Sequence, residues 1–430
     1  MTDAGPSTRS SVARIGAATA VSAICGYTVL YLAARELGPA LFSVFGVFWG
    51  AFGLVTGAAN GLLQETTREV RLSLTQRDRS ALSAPLPDGL HPSGSSLPIR
   101  IAFAFAIASA VGIVGTAPLW ASHVFTEFRW LSVALLAGGL AGFCMHATTL
   151  GALAGSSRWT QYGILMVTDA GIRLVVAVVT FAATIGLVGY LWATVAGSMS
   201  WLLLTLVSKP TREALKVPAL VDTMEFLRGA RHSIAAAAAS AVLVMGFPVL
   251  LQSTAGDLGT TGGVVILAVT LTRAPLLVPL TALQGNLIAH FVDERERRLS
   301  ALITPAAIIV GVGAVGIALA ASIGPWLLRT VFDPAYQAGG PLLGWLTAGA
   351  VMIALLTLTG AATVAHARHL AYSAGWVGAT VVSALLLLLP LDLEERTVIA
   401  LLGGPIVGIV VHLAALALWR DPEIAEEIID

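Results

Sequence analysis

Arg273 lies near the middle of an apolar run from residue 263 to 289, with no acidic residue within one helical turn. A guanidinium so placed has two uses: it donates to a carbonyl or carboxylate of another segment, or it faces water and meets an anion such as a phosphate. Arg173 lies in a second apolar run, 161–184, and Asp169 precedes it by four residues, on the same helix face and within pairing reach. Charge within such runs is expensive and marks pathways or buried pairs. Arg273, Arg173 and Asp169 are therefore the candidate substrate-binding residues.

A second set of polar residues closes two apolar runs. Asn60, Gln64 and Glu65 end the run 40–63, while Gln284, Asn286 and His290 end the run 263–289. These matching patches form either an inner gate or helix ends that reach lipid headgroups. Pro275 and Pro279, inside the latter run, remove backbone donors and permit a kink.

Enzyme chemistry finds no support. The chain has no phosphate-binding loop ending in Lys-Ser or Lys-Thr, no His-Glu-x-x-His helix and no Gly-x-Ser-x-Gly elbow. The eight histidines are scattered, and His366 with His369 beside Arg368 reads as a solvated basic turn. Cys25 and Cys144 sit in apolar runs away from metal-ligand partners and read as packing residues. Neither a metal nor a cofactor is expected, and the protein is not expected to be an enzyme.

The elements that carry these residues follow from composition. Of 430 residues, 57% are hydrophobic and only 11% charged, with a mean hydropathy of +0.86, too few charges to clothe a water-soluble globule of this size. The net charge is zero, which gives no reason to expect nucleic acid as a partner. Arginine outnumbers lysine heavily in an Ala-, Gly- and Val-rich chain, a bias of GC-rich bacterial genomes. A bilayer core about 30 Å thick needs about 20 apolar residues in helix. Twelve such runs lie near 13–34, 40–63, 100–121, 130–153, 161–184, 186–207, 230–252, 263–289, 301–325, 341–364, 370–390 and 397–419. The first, preceded by Arg9 and Arg14, is longer than a signal-peptide core and reads as an uncleaved first helix.

Arginine and lysine set the orientation, because they collect on the cytoplasmic side. With the N-terminus inside, eighteen of the 24 cationic residues fall in cytoplasmic segments and four, Arg35, Arg129, Arg329 and Arg396, fall outside. An early miscount would have scrambled that split. The expectation is a multi-pass protein of the bacterial plasma membrane with both termini cytoplasmic.

The order of small motifs repeats. Leu37-Gly38 recurs as Leu258-Gly259; Pro118, Val124 and Phe125 recur as Pro325, Val331 and Phe332; Gly151-Ala152 with Arg158 and Tyr162 recurs as Gly360-Ala361 with Arg368 and Tyr372. The fold class that follows is all-α: a polytopic membrane protein of about twelve helices in two six-helix lobes related by a pseudo-two-fold axis along the membrane normal. Residues 1–207 make the first lobe, 208–229 a cytoplasmic linker, 230–420 the second lobe and 421–430 an acidic tail. Within the first lobe, 65–100 is a cytoplasmic loop whose Pro-, Gly- and Ser-rich middle has the composition of a mobile linker. Gly46, Gly50, Gly53, Gly57 and Gly61 line one face of the second helix, where another helix can come close.

The run from Tyr31 to Phe45, in which a first helix gives way to Leu37-Gly38-Pro39 and then an aromatic-rich second helix, resembles the start of Wzx-type polysaccharide flippases of the multidrug/oligosaccharidyl-lipid/polysaccharide exporter superfamily. The Leu-Thr-Arg-Ala-Pro-Leu run at 271–276 and the Val-Phe-Asp-Pro-Ala-Tyr run at 331–336 are similar to that family as well. The resemblance implies alternating access, with a lipid-linked sugar or oligosaccharide diphosphate carried from the inner to the outer leaflet through a partly cationic cavity. Arg273 and Arg173 are the residues that would meet the diphosphate. The chain departs from the more cationic members in its few intramembrane charges.

Three functions stay open at this point: a flippase for a lipid-linked glycan; a drug or cation antiporter of the same superfamily, for which Asp169 would be the coupling carboxylate; and a non-transporting scaffold that holds glycan-assembly enzymes through the first long loop. The expected partners are a lipid-linked sugar substrate, membrane lipids and, for the scaffold, those enzymes.

Overall fold

The computed structural model describes residues 9–82, 96–294, 299–366 and 368–418. The first helical stretch, Arg9–Leu82, is broken at Gly38, whose φ of 64° and ψ of 172° lie outside helical values. Glycine adopts that conformation without a Cβ clash, and Pro39 then starts the next helix with its φ already set. The stretch is thus two helices, α1 (9–37) and α2 (39–82). They are followed by α3 (Pro98–Val124), α4 (Arg129–Gly155), α5 (Trp159–Ala183) and α6 (Leu187–Val207). Next come α7 (Thr223–Val244 and Phe247–Ala255, bent by 61°), α8 (Gly259–Asp293), α9 (Ser300–Phe332), α10 (Gly340–Ala365), α11 (His369–Leu386) and α12 (Leu393–Ala417). Counting α7 as one bent span and the stretch broken at Gly38 as two gives twelve apolar helices among the described residues, each overlapping an expected run. The chain is a multi-pass α-helical membrane protein.

Two compact units divide it: residues 1–241 with 245–253, and residues 242–244 with 254–430. In the first, α4 is the central helix, packed against α2, α3, α5 and α6, with 78% of its apolar window buried. In the second, α10 holds that place against α8, α9, α11 and α12, with 72% buried. The helices before them, α3 and α9, bury only 22% and 6% of theirs and turn residues such as Phe103, Ile107, Val111, Ile303, Val312 and Leu319 outward, as helices facing acyl chains do.

The repeat seen in the motifs is also present in the backbone. Arg158 and Arg368 cap α5 and α11 with near-identical conformations, φ −88°, ψ 60° and φ −94°, ψ 56°. Each amide donates to a carbonyl five residues back, Leu153 or Thr363, at 2.8 Å, and each carbonyl accepts from Tyr162 or Tyr372 four residues on.

Two segments are more ordered than their composition suggests. The stretch 65–82 is not loop but a continuation of α2. Thr66 and Val70 fit against Gly151 and Gly155 of α4, where any larger side chain would overlap them, and this docking keeps a polar stretch helical. The Pro-rich middle of the expected loop, 83–95, and the acidic tail 421–430 lie outside the described residues. The linker 208–229 is also folded: Ser208 caps a short helix, Lys209–Ala214, the Ala219 amide donates to Ser96 at 2.8 Å, and Asp222 caps α7 by accepting from the Glu225 amide at 2.8 Å.

Candidate functional site

Asp169 and Arg173 pair as their spacing predicts. In the first unit, Arg173 Nη2 and Nε lie 3.0 and 3.3 Å from Asp169 Oδ1, and the guanidinium carbon stands 5.3 Å from the Phe52 ring centre of α2. The pair is mostly buried, with 18% and 14% of the two side chains exposed. It fits because α6 is interrupted at Gly197, where a Cβ would land on the Asp169 carboxylate and backbone oxygen and on Arg173. Near it, the buried His146 of α4 shares a 3.0 Å hydrogen bond with Ser200 of α6 and stacks on Phe143.

Arg273, in the second unit, takes the carbonyl option. It is 7% exposed, and its Nη1 donates to Val244 O at 2.9 Å and more weakly to Leu243 O at 3.4 Å. The reason lies four residues further along α7. In a continuous helix the Val244 carbonyl would accept from the amide of residue 248, which is a proline and has no amide hydrogen. The helix bends there, and Arg273 supplies a donor that the backbone lacks.

The expected gate residues on α2 differ in burial. On α2, Asn60 is half-buried, Gln64 exposed and Glu65 buried at 3% exposure. Glu65 receives 2.6 Å from Arg68 Nη2 and 3.5 Å from Ser233 Oγ of α7, and its carboxylate fills the space a side chain at Gly229 would need. Above it, Gly50, Gly53, Gly57 and Gly61 lie against Pro248, Met245, Ala241 and Ile234 of α7, so from Gly50 to Gly61 the glycine stripe is a helix contact. The side chains of Gln284 and Asn286 lie outside the described residues, and His290 is exposed.

Three polar contacts were not anticipated from the sequence. Glu36, just before the Gly38 break, accepts from Tyr190 Oη at 2.7 Å and from the Gly186 amide at 2.9 Å, tying α1 to α6. His412 of α12, fully buried, bonds Thr359 of α10 at 3.0 Å and the Tyr372 carbonyl of α11 at 3.2 Å, in space that Gly375 leaves open. His366 is a correction to the solvated basic turn: it is 2% exposed, its Nδ1 lies 2.8 Å from the Ala362 carbonyl, and only His369 is exposed. Its ring adds a contact in the last turn of α10 to a carbonyl that also accepts from the His366 backbone amide at 3.2 Å. A lone histidine in an apolar run signals such contacts, as Glu36 does at a helix break. Cys144 is fully buried among Leu62, Ala106 and Leu140, and Cys25 is partly buried. Among the described residues no cluster of His, Cys, Asp and Glu could hold a metal.

No family model matches the chain. The fold is that of solved multidrug resistance MATE family transporters of the MOP superfamily. An inward-facing structure matches with TM-score 0.68 and 15% identity, covering 96% of both chains, and an outward-facing one with 0.63 and 15% over 95% of both. At that identity the likeness shows the fold alone. Much nearer in sequence are two proteins of Mycobacterium tuberculosis (strain ATCC 25618 / H37Rv). "Uncharacterized protein Rv3630" is 65% identical over 407 residues, 95% of this chain and 92% of its own length. "Uncharacterized protein Rv1510" is 59% identical over 417 residues, 97% and 94% of the two lengths. The chain belongs to the family of these mycobacterial proteins.

Proposed function

We infer that the protein is a membrane exporter working by alternating access, and that its cargo is a lipid-linked sugar or oligosaccharide diphosphate moved outward across the bacterial plasma membrane. The observation that carries the transporter reading is the fold: along 95% or more of its length the chain follows transporters described in both inward- and outward-facing states. The glycan cargo is supported by the resemblance of the Tyr31–Phe45, 271–276 and 331–336 runs to polysaccharide flippases. Arg173 is the first candidate for the diphosphate, since its guanidinium keeps some exposure beside Asp169. Arg273 serves the bend of α7 and acts on cargo through that helix. Both termini face the cytoplasm in this reading.

The antiporter reading rests on the multidrug transporters that share the fold, and it needs a free membrane carboxylate. Asp169 already neutralises Arg173 at 3.0 Å, which disfavours that use. The deciding experiment deletes the gene in its host and measures lipid-linked glycans in the two leaflets by mass. An intermediate that accumulates on the cytoplasmic side, cleared by the wild-type gene and not by Arg173→Gln at equal membrane abundance, is the expected result. Unchanged glycans and a normal cell surface would sink the glycan reading and favour a small-molecule exporter; full complementation by Arg173→Gln would remove Arg173 from the cargo path.

A further inference from the structure

Beyond the apolar run that ends near residue 63, α2 carries more buried negative charge than its neighbours neutralise. Glu65 and Glu69, one turn apart, are 3% and 0% exposed. Among the described residues a single cation serves both: Arg68 Nη2 lies 2.6 Å from Glu65 Oε1 and 2.9 Å from Glu69 Oε1, and the Arg68 side chain is itself 56% exposed. Glu65 has a second donor in Ser233 and is pressed against Gly229. Glu69 does not fare so well. Its contact with Arg68 is an ion pair without hydrogen-bond geometry, and its nearest backbone donors, the Leu220 and Val221 amides, bear on it without reaching good hydrogen-bond geometry. The hydroxyl of Thr66, three residues earlier and fully buried, completes no hydrogen bond among the described residues.

The surrounding charges do not correct the balance. From α7, Glu225 bears on Arg68 and adds negative charge, while Arg228, Arg231 and His232 of the same helix are exposed. The Leu220 and Val221 amides of the linker and the Arg68 charge favour ionised Glu69, but burial outweighs them and pushes its carboxyl above the ordinary glutamate value, with Glu65 adding to the push. A buried carboxylate short of donors is relieved by a proton, which removes the charge and turns one oxygen into a donor.

We propose that the Glu65–Arg68–Glu69 cluster is a proton-binding site, in which Glu69 takes one proton from water when residues 215–233 dock over it and returns it when they undock. The docked state binds the proton more tightly, so docking is strongest at low pH and weakens as pH rises past the ordinary glutamate value of about 4.3 and through the higher docked value. The link to docking follows from position: the segment that covers Glu69 is the linker and first turns of α7, whose Gly229 and Ser233 touch the same cluster.

The test uses the full-length protein in nanodiscs and requires no cargo, so it stands apart from the exporter reading. Infrared difference spectra across pH report protonated carboxyl groups, and spin labels at cysteines replacing Gln76 and Arg228, with Cys25 and Cys144 changed to alanine, report docking. The expected result is a carboxylic C=O band that titrates above ordinary glutamate and vanishes in Glu69→Gln. The label distance should lengthen with the same midpoint in the Glu69 protein and stay short at all pH in Glu69→Gln, whose neutral amide mimics the protonated acid. A wild-type protein with no such band overturns the proposal, and it does so even where the variant fails to fold. A band that survives Glu69→Gln, a label distance that ignores pH, or sodium displacing the band at fixed pH overturns it as well.

Discussion

Replacing Arg273 with methionine tests whether the arginine serves the bend of α7. Methionine keeps most of the apolar stem and removes the donors to Val244 O at 2.9 Å and Leu243 O at 3.4 Å. The Val244 carbonyl then lacks the donor that a continuous helix would give it, because residue 248 is proline. A buried carbonyl left without a donor costs about 1–3 kcal/mol, and hydrogen bonds to a charged donor sit in the upper part of that range. The expected loss for Arg273→Met is therefore about 2–3 kcal/mol, read from reversible SDS unfolding in mixed micelles followed by helicity. Pro248→Ala supplies the missing amide and lets α7 straighten toward it. In that background Arg273→Met should cost at least about 1 kcal/mol less than alone, a coupling well above the 0.3–0.5 kcal/mol scatter of independent sites. Additive effects within that scatter would refute the reasoning and leave Arg273 available as a ligand for cargo.

Gly61→Ala should destabilise by about 1–3 kcal/mol by the same unfolding assay, because its methyl meets the Ile234 backbone, whereas Gly53→Ala should cost less, since its methyl comes no nearer than 3.2 Å to Met245 Cβ and only a small shift is needed. Equal effects would show that α7 is free to shift along α2. Arg173→Met alone strands Asp169 in a largely buried site and should cost about 3–5 kcal/mol, while Asp169→Leu with Arg173→Met should recover most of it; an additive double variant would mean that the two charges do not form the pair. Glu36→Leu should cost about 1.5–3 kcal/mol through the lost Tyr190 and Gly186 contacts, and Tyr190→Phe should add little on top of it, since both act on one bond; a full further loss would contradict the geometry.

How much of this was legible in the sequence depended on what each feature costs in lipid. The spans were readable to within a few residues, because a run of about 20 apolar residues has one economical solution in a bilayer. Asp169–Arg173 was readable because four residues on a helix fix the contact. The partner of Arg273 required one more step that the sequence did contain: Pro248 lies inside an expected span and leaves the carbonyl of residue 244 open, and a buried arginine on the neighbouring helix is a natural donor. The extension of α2 to Leu82 was hidden because its buried positions, Glu65, Thr66, Glu69 and Ser73, are polar, so hydropathy saw a loop where packing against Gly151 and Gly155 makes a helix.

The histidines show why the rest was not readable. Lipid gives apolar helices no hydrophobic reason to leave the acyl chains for one another, so close small-residue contacts and hydrogen bonds between helices must hold each six-helix set together. Each unit here ties its fourth helix to its sixth by one buried histidine–hydroxyl bond of 3.0 Å, yet the histidine stands on the fourth helix in the first unit, at His146, and on the sixth in the second, at His412. The bond needs one imidazole and one hydroxyl and is indifferent to which helix contributes which. A search for repeated residues at constant displacement therefore finds the turns at Arg158 and Arg368, where backbone conformation requires the same spacing, and misses the histidine bonds, where only the pairing is kept.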